Sequence, residues 1–336
     1  MGKISKQGPP QKIRYSFLKI LTGSDLSTRR LALMEIKSSN PGPVVWLTGC
    51  VHGDEVGGTV VIQEIFKKLR KEPLLKGSVH AFPLMNPIGF ETASRHITLS
   101  KEDLNRSFPG NKNGSLAERI AEKIFTIITE INPTLVLDLH NDWRKSIPYT
   151  FIDPTEVVNH KETYEKVKLF SKKTGFLIVS ERKEAFESEH MEKTLSGCLN
   201  QHKIPSLTLE LGESYVVNEE NVEYGVKSIL NILDYLGMVK TADEPFAYPI
   251  PEALKGKILT YSHRPVSSAT GIIRFLVEPG DLVKKGRPLA RIYNAFGKLR
   301  DTLRALQDGI VLGYSDSSVG FPGVPVIAFA IIQDYY

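Results

Sequence analysis

The segment Leu47-Thr-Gly-Cys-Val-His-Gly-Asp-Glu-Val-Gly-Gly58 sets an imidazole and a carboxylate, His52 and Glu55, three residues apart in a glycine-rich turn. A second imidazole, His140, closes the apolar run Leu135-Val-Leu-Asp-Leu-His140. Two histidines and one carboxylate satisfy a borderline-soft dication such as Zn2+ and leave one position open. The open position lets the metal polarise a carbonyl and lower the pKa of bound water from ~15.7 to ~7, the two services that amide hydrolysis needs. One His and one Glu beside a turn are common in purely structural roles. The glycine-rich context and His140 together move the balance toward a metal. Asp138, two residues before His140, shares its side of the strand, where it could accept the free ring N–H of a ligand histidine.

Two further pieces carry polar chemistry. The stretch Met85-Asn-Pro-Ile-Gly-Phe-Glu-Thr-Ala-Ser-Arg95, followed by Asp103-Leu-Asn-Arg-Ser-Phe-Pro-Gly110, presents Arg95, Asn105 and Arg106 in loop sequence. An arginine in a polar loop is usually solvated, but the flanking apolar, Gly and Pro residues suggest a structured loop, and an Arg fork suits a carboxylate. In Ile204-Pro-Ser-Leu-Thr-Leu-Glu-Leu-Gly-Glu213, Glu210 interrupts an apolar strand just before Gly212. It could serve as a general base or point outward from a half-exposed strand. Glu213 and Glu102 rank below it, because neither ends an apolar strand.

These residues need strands and helices in alternation to bring them together. Short apolar runs at 43–48, 78–84, 134–139, 149–152, 176–179 and 206–211 read as strands. Helical patterns fill 59–70, 162–173, 191–201 and 221–236. The clearest helix starts at Ser115, which forms a capping box with Glu118, and shows Leu116, Ile120, Ile124, Ile127, Ile128 and Ile131 on one face before Pro133. The order predicts an α/β domain with a mostly parallel sheet flanked by helices. His52 and Glu55 then fall at a strand's end just before a helix, where such sheets place their sites. Texture changes in an acidic, Pro-bearing stretch near 241–257, so we divide the chain into a catalytic domain (1–245), a linker (246–257) and a small all-β domain (258–336).

Composition narrows the partners. Lys plus Arg number 43 against 38 Asp plus Glu, a formal charge of +5 spread in short pairs, which argues against nucleic acid. No apolar stretch reaches the ~18 residues of a membrane span. The basic start is followed only by the short run Tyr15 to Leu21, broken by Lys19, and Lys6 stands where myristoylation needs Ser or Thr. Two cysteines, Cys50 and Cys198, are too few for a disulfide framework. A cytoplasmic protein is expected, with a homo-oligomer permitted but not required.

Taken together, Gly49-Cys-Val-His-Gly-Asp-Glu55, Asn86-Pro87 with Arg95, Asp103-Leu-Asn-Arg-Ser-Phe-Pro-Gly110, Leu137-Asp-Leu-His140 and Leu209-Glu-Leu-Gly212 resemble the succinylglutamate desuccinylase and aspartoacylase family, a branch of the zinc carboxypeptidase clan. The motifs stand in family order, and the resemblance spans about 43–238. It implies a zinc-carboxypeptidase-like fold with one Zn2+ held by His52, Glu55 and His140. By the same resemblance Glu210 matches the carboxylate that activates the attacking water, Arg95 the arginine that stabilises the oxyanion, and Asn105 with Arg106 the pair that holds the substrate carboxylate. The implied activity is hydrolysis of a linear amide in a small N-acyl amino acid or related N-acylated amine. A metallocarboxypeptidase acting on peptides or cell-wall fragments would share every residue named, and pocket size separates the two. A non-catalytic binding module would lack a ligand or the base, and this sequence lacks neither.

The run Gly271-Ile-Ile-Arg-Phe-Leu-Val-Glu-Pro-Gly-Asp-Leu-Val-Lys-Lys-Gly-Arg-Pro-Leu289, with Asp308-Gly-Ile-Val311, looks like the barrel-sandwich domain of biotinyl and lipoyl carriers. It lacks the Met-Lys-Met of biotin carriers, so Lys298 is read as unmodified and the domain as a packing unit or rim. No P-loop, His-Glu-x-x-His helix, dinucleotide fingerprint or nucleophile elbow is present. Cys50 is expected to be a small core residue, and His96, His190 and His263 to be surface or hydrogen-bonded histidines. Tyr215 and Tyr261 remain open candidates for substrate contact.

Overall fold

The computed structural model describes residues 11–22, 26, 28–241, 244–314 and 317–332. It opens with an antiparallel hairpin, β1 (Arg14–Thr22) and β2 (Thr28–Lys37). Next come β3 (Val44–Gly49), α1 (Gly57–Lys71), β4 (Ser78–Phe82), the short α2 (Pro87–Phe90), α3 (Leu116–Ile131) and β5 (Leu135–His140). After the two-residue β6 (Lys145–Ser146) follow β7 (Pro148–Ile152), α4 (Lys161–Lys173), β8 (Leu177–Ser180), α5 (Lys183–Ser188), α6 (Leu195–Gln201), β9 (Ser206–Leu211) and α7 (Glu219–Tyr235). The remaining strands are β10 (Ile258–Ser262), β11 (Gly271–Phe275), β12 (Leu282–Val283), β13 (Pro288–Tyr293), β14 (Leu299–Arg304), β15 (Gly309–Tyr314), β16 (Val319–Gly320) and β17 (Ile327–Ile331).

The large sheet runs β1-β2-β4-β3-β5-β9-β7-β8-β10-β17-β15-β12, with β6 paired to β15, and β14-β13-β11-β16 form a second, antiparallel sheet. At its centre β4, β3, β5 and β9 are parallel, whereas β7 is antiparallel to β9 and starts a second parallel group with β8 and β10. Antiparallel strands extend both flanks. This is the mixed α/β architecture with a smaller C-terminal β sheet that the sequence pattern implies.

Side-chain alternation sorts the strands' residues between two faces. Val45 and Leu47 of β3, Leu135, Leu137 and Leu139 of β5, and Leu207, Leu209 and Leu211 of β9 pack in one core with α1, α4 and α7. Trp46 and Val136 point the other way, into a core with α3 and α6. Because both faces are covered, the strands read as continuous apolar runs. Asp138, His140, Thr208 and Glu210 interrupt those runs only at positions of the second face. The capping box of Ser115 and Glu118 starts α3, and Asn132, in the left-handed region at φ +51°, ends it before Pro133.

Four features lie beyond what local pattern indicated. The hairpin β1–β2 flanks the sheet with Tyr15 and Phe17 exposed, an alternation too weak in charge contrast to read as a strand. The helical pattern at 191–201 breaks into a single 3-10 turn, Met191–Lys193, and α6, because Thr194 turns to an extended conformation and caps α6 by accepting the Gly197 N–H at 3.1 Å. At the C-terminal side, β10 pairs in parallel with β8, so β10, β17, β15 and β12 continue the large sheet. The stretch read as a linker packs as well: Phe246 lies against Phe176 and Tyr224, and its backbone exchanges hydrogen bonds with Asn231. Among the described residues, no helix is long and apolar enough to cross a membrane.

Asp153, just past β7, ties that strand to α6 by accepting from Asn200 Nδ2 at 2.7 Å. Burial pushes its carboxyl up from 3.8 to about 6, against the Asn200 hydrogen bond. The folded state therefore keeps a proton that the unfolded chain releases, and stability falls as pH rises from 3.8 to about 6. Asp153→Asn keeps an acceptor for Asn200 and removes the buried charge. It is expected to raise stability at pH 7.5 by about 3 kcal/mol, with the gain vanishing toward pH ~4. Urea denaturation of both proteins at the two pH values checks this; an equal gain at both would assign the effect to something other than the charge.

Candidate metal centre and active site

The turn that carries His52 and Glu55 is braced on every side. Cys50, directly after β3, takes the left-handed conformation at φ +53°, and its thiol donates to the His52 carbonyl at 3.2 Å. That reversal folds the chain back over the end of β3, a strained conformation of the kind found at functional sites. The loop after β4 clasps the turn: Met85 and Asn86 N–H donate to the Gly49 and Cys50 carbonyls at 3.0 and 2.9 Å, and Gly53 N–H to Ser94 O at 3.0 Å. Gly53 is required, because a Cβ there would lie 2.0 Å from the Gly89 backbone carbon. Gly58 lets α1 approach β5, since a Cβ would meet the Leu139 carbonyl oxygen at 2.8 Å.

Four groups converge on the Glu55 carboxylate. His52 Nδ1 lies 2.6 Å from Oε1, His140 Nδ1 2.9 Å from Oε2, Asn141 N–H donates to Oε2 at 3.2 Å, and Arg95 Nη1 to Oε1 at 3.3 Å. The ligand atoms of His52, Glu55 and His140 all lie within 4.8 Å of one another, and all three residues are buried. The other ring nitrogen of each histidine faces a carboxylate. His140 Nε2 is 3.0 Å from Asp138 Oδ2, whose other oxygen accepts from Thr48 Oγ1 at 2.6 Å. His52 Nε2 is 3.2 Å from Asp103 Oδ1. Both Nδ1 atoms thus point inward while both Nε2 atoms are held from outside, the arrangement that fixes tautomer and ring orientation in metal-ligating histidines. The donor set fits a divalent metal ion: two imidazole nitrogens and a carboxylate meeting at one point.

Charge balance follows from the same contacts. Burial works against ionised Glu55, but His52 and His140 outweigh it and hold the carboxyl well below the usual carboxylate range. Burial likewise opposes charge on His140, yet Asp138 and Glu55 raise its pKa well above the usual value. Arg95 bridges Glu55 and Asp103, each at 3.3 Å, and remains half-exposed toward the cavity. Asp103 carried no role in the sequence reading. Its signal was present in the loop that also supplies Asn105, whose backbone N–H it accepts at 2.8 Å.

Glu210 lies beside His140 in the β5–β9 register and opposite Tyr149 in the β9–β7 register. It projects from the second face of the sheet into the same cavity, and its Oε2 is buried without a hydrogen-bond partner among the described residues. Burial holds its carboxyl well above the usual range. Glu213 is turned away to Asn218 and Asn221, and Glu102 accepts from the Ala117 N–H at the start of α3.

The cavity measures about 240 Å³ and contains His52, Glu55, His140, Arg95, Asn105, Arg106 and Glu210 in its lining. Asn105 is buried, with Oδ1 accepting the Leu195 N–H at 2.9 Å, which fixes α6 against the site. Arg106 donates Nε and Nη1 to the Glu189 and Asn105 carbonyls, both at 2.9 Å. Tyr261 of β10 and His263 beyond it complete the wall. His263 therefore faces the cavity, where the sequence reading favoured a surface or hydrogen-bonded role, whereas His190 is exposed and Tyr215 lies under the Arg144 guanidinium. Cys50 is buried and its thiol is pushed up to about 12, chiefly by burial, as suits a core residue.

The fold and this cluster define a mixed α/β protein with a His-Glu-His site able to hold a metal ion. Residues 41–236 match the sequence model of the succinylglutamate desuccinylase/aspartoacylase catalytic domain, and the chain belongs to that family. It is 28% identical over 313 residues to the N-alpha-acetyl-L-2,4-diaminobutyric acid deacetylase of Halomonas elongata, covering 89% of this chain and 86% of that protein. Among solved structures, the product-bound ectoine utilization protein EutE (DoeB) of Ruegeria pomeroyi shares the fold with a TM-score of 0.80 at 22% identity, over 97% of this chain and 100% of that one. The succinylglutamate desuccinylase/aspartoacylase of Rhodobacter sphaeroides does so with a TM-score of 0.79 at 22% identity, over 100% and 99% of the two chains.

The double role of Asp103 generates a test. Asp103→Asn removes the negative partner of both His52 Nε2 and Arg95, and is expected to weaken divalent-metal affinity about 10- to 100-fold. Competition against a chromogenic chelator reads this directly. An unchanged affinity would mean that His52 is oriented without Asp103.

Proposed function

We propose that the protein is a zinc-dependent deacylase that hydrolyses the amide bond of a small N-acyl amino acid. The observation that carries this reading is the buried, unpartnered oxygen of Glu210, facing the cavity beside the cluster where His52, Glu55 and His140 bring their donor atoms together. A Zn2+ ion held by these three residues would supply Lewis acidity to the scissile carbonyl and to water. The family membership and the deacetylase named for the Halomonas elongata relative agree with it.

Glu210 then takes one proton from the attacking water and returns it to the amide nitrogen as the C–N bond breaks, so that a carboxylic acid and an amine leave. Burial already holds its carboxyl well above the usual range, in the direction a proton shuttle at neutral pH requires. Arg95, tethered by Glu55 and Asp103, is placed to stabilise the oxyanion that develops on the carbonyl oxygen. Asn105 and Arg106 receive the substrate carboxylate, and Asp138 keeps His140 oriented. The cavity of about 240 Å³, walled by Tyr261 and His263, favours a small acyl amino acid over a peptide. The two buried free thiols, Cys50 and Cys198, agree with a reducing, cytoplasmic compartment.

Exhaustive chelation is expected to abolish hydrolysis of N-acetyl and N-succinyl amino acids, and Zn2+ to restore it; full activity in rigorously metal-free protein would overturn the reading. Glu210→Gln should retain near-stoichiometric zinc by elemental analysis yet lose about 10²- to 10⁴-fold in kcat. Arg95→Ala should cost on the order of 2.7 to 4 kcal/mol of transition-state stabilisation, read as a fall in kcat.

A further inference from the structure

The pair proposed above for the substrate carboxylate has few donors left to give. Asn105 commits Oδ1 to the Leu195 N–H, and Arg106 commits Nε and Nη1 to the Glu189 and Asn105 carbonyls, each at 2.9 Å. Asn105 Nδ2 and Arg106 Nη2 remain, with no acceptor among the described residues. A carboxylate offers about four lone-pair sites, so a further donor in the same wall has a place to fill.

His263 stands in that wall with its ring nitrogens unpaired. It follows β10 on the face of Leu259 and Tyr261 and lines the cavity. Ser262 Oγ accepts the Arg264 N–H at 3.1 Å, which fixes the turn around it. Among the described residues neither ring nitrogen has a hydrogen bond or an ion pair. The ring itself is clamped: Tyr261 meets it edge-on at 4.8 Å and 79°, and Trp143 at 6.2 Å and 90°. Trp143 takes the left-handed conformation at φ +48°, a costly one for so bulky a residue. Its carbonyl accepts the Ser214 N–H at 2.8 Å and the Ser214 hydroxyl at 2.9 Å, and the Asp142 N–H beside it donates to Gly212 O at 2.9 Å. Strain that is pinned in this way, and that sets an indole against an unpaired imidazole, belongs with functional sites.

His263 and Arg106 also share a neighbour. Burial pushes the pKa of each down, and Glu189 is among the charges that oppose it in both. The Glu189 carboxylate is exposed, so water screens its charge. A neutral imidazole carries one N–H in either tautomer. We propose that His263 is a substrate-contacting, specificity-determining residue that donates this hydrogen bond to the substrate carboxylate and completes the set begun by Asn105 and Arg106. The segment after β10 thereby supplies part of the site. This rests on the deacylase reading for the reaction, but not for recognition of the carboxylate.

The test uses N-acetyl-L-alanine and N-acetyl-L-alaninamide, which differ only in carboxylate against carboxamide, on the zinc-supplied enzyme, with calorimetric titration of both in parallel. The wild type is expected to favour the acid. His263→Phe keeps an aromatic ring between Trp143 and Tyr261 but has no N–H. It should lower kcat/KM on the acid about 10- to 100-fold, chiefly through KM, the range of a hydrogen bond to a charged group, and narrow the acid-over-amide preference accordingly. His263→Gln returns a donor and should recover part of the loss. Both variants should hold zinc near-stoichiometrically by elemental analysis. An unchanged KM for the acid in His263→Phe, an equal loss on acid and amide, or a loss of zinc would assign His263 to packing and overturn the proposal. If neither compound is hydrolysed but the acid still binds more tightly than the amide in a His263-dependent way, the deacylase reading fails and the carboxylate contact stands; a wild type that binds neither overturns it.

Discussion

The Glu55 carboxylate joins parts of the chain that have no other reason to meet. It receives His52 from its own turn, His140 and the Asn141 N–H from the end of β5, and Arg95 from the loop after β4. Each contact alone is an ordinary charge-assisted hydrogen bond. Together they bury a negative group that would be costly without partners, so the three segments must keep their relative positions for the carboxylate to stay ionised. The supports behind them serve the same end. The left-handed Cys50, the close approach allowed by Gly53, and the Asp138 and Asp103 carboxylates behind the two imidazoles all constrain where the inward-facing nitrogens point.

The sheet supplies the second constraint. Its first face is committed to packing against α1, α4 and α7, so polar side chains on β5 and β9 can be accommodated only on the second. There α3 and α6 cover part of the face, and the loops around Asn105 and Glu189 leave a space. Thr194 and Asn105 set where α6 begins, which keeps that space open. Reversal of strand direction between β9 and β7 enlarges the site: side chains from strands running both ways, Glu210 and Tyr149 among them, face one cavity.

Buried acids in this molecule divide by whether the protein itself completes them. Asp138 and Asp103 have histidine partners, and Asp153 has Asn200. Glu210 keeps a buried oxygen that no described residue satisfies, and it faces the cavity. Leaving a buried polar group unmade costs free energy, so its persistence at a cavity wall is most economically read as provision for a guest.

Local sequence was enough to place most of the elements. Runs of Val, Leu and Ile bounded by Gly and Pro marked the central strands, and the Ser115–Glu118 box with Pro133 bounded α3, because these signals act over a few residues. His52, Glu55 and His140 could be singled out for the same reason: polar metal-ligating types at the ends of apolar strands are visible without knowing which strands are neighbours. Which atoms meet was decided only by tertiary structure. The inward Nδ1 atoms, Asp103 as the second carboxylate behind the imidazoles, and the entry of β10 beside β8 with Tyr261 and His263 all depend on strand order. Strand order is settled by pairing between segments as distant as β8 and β10, and no periodicity within either segment encodes its partner.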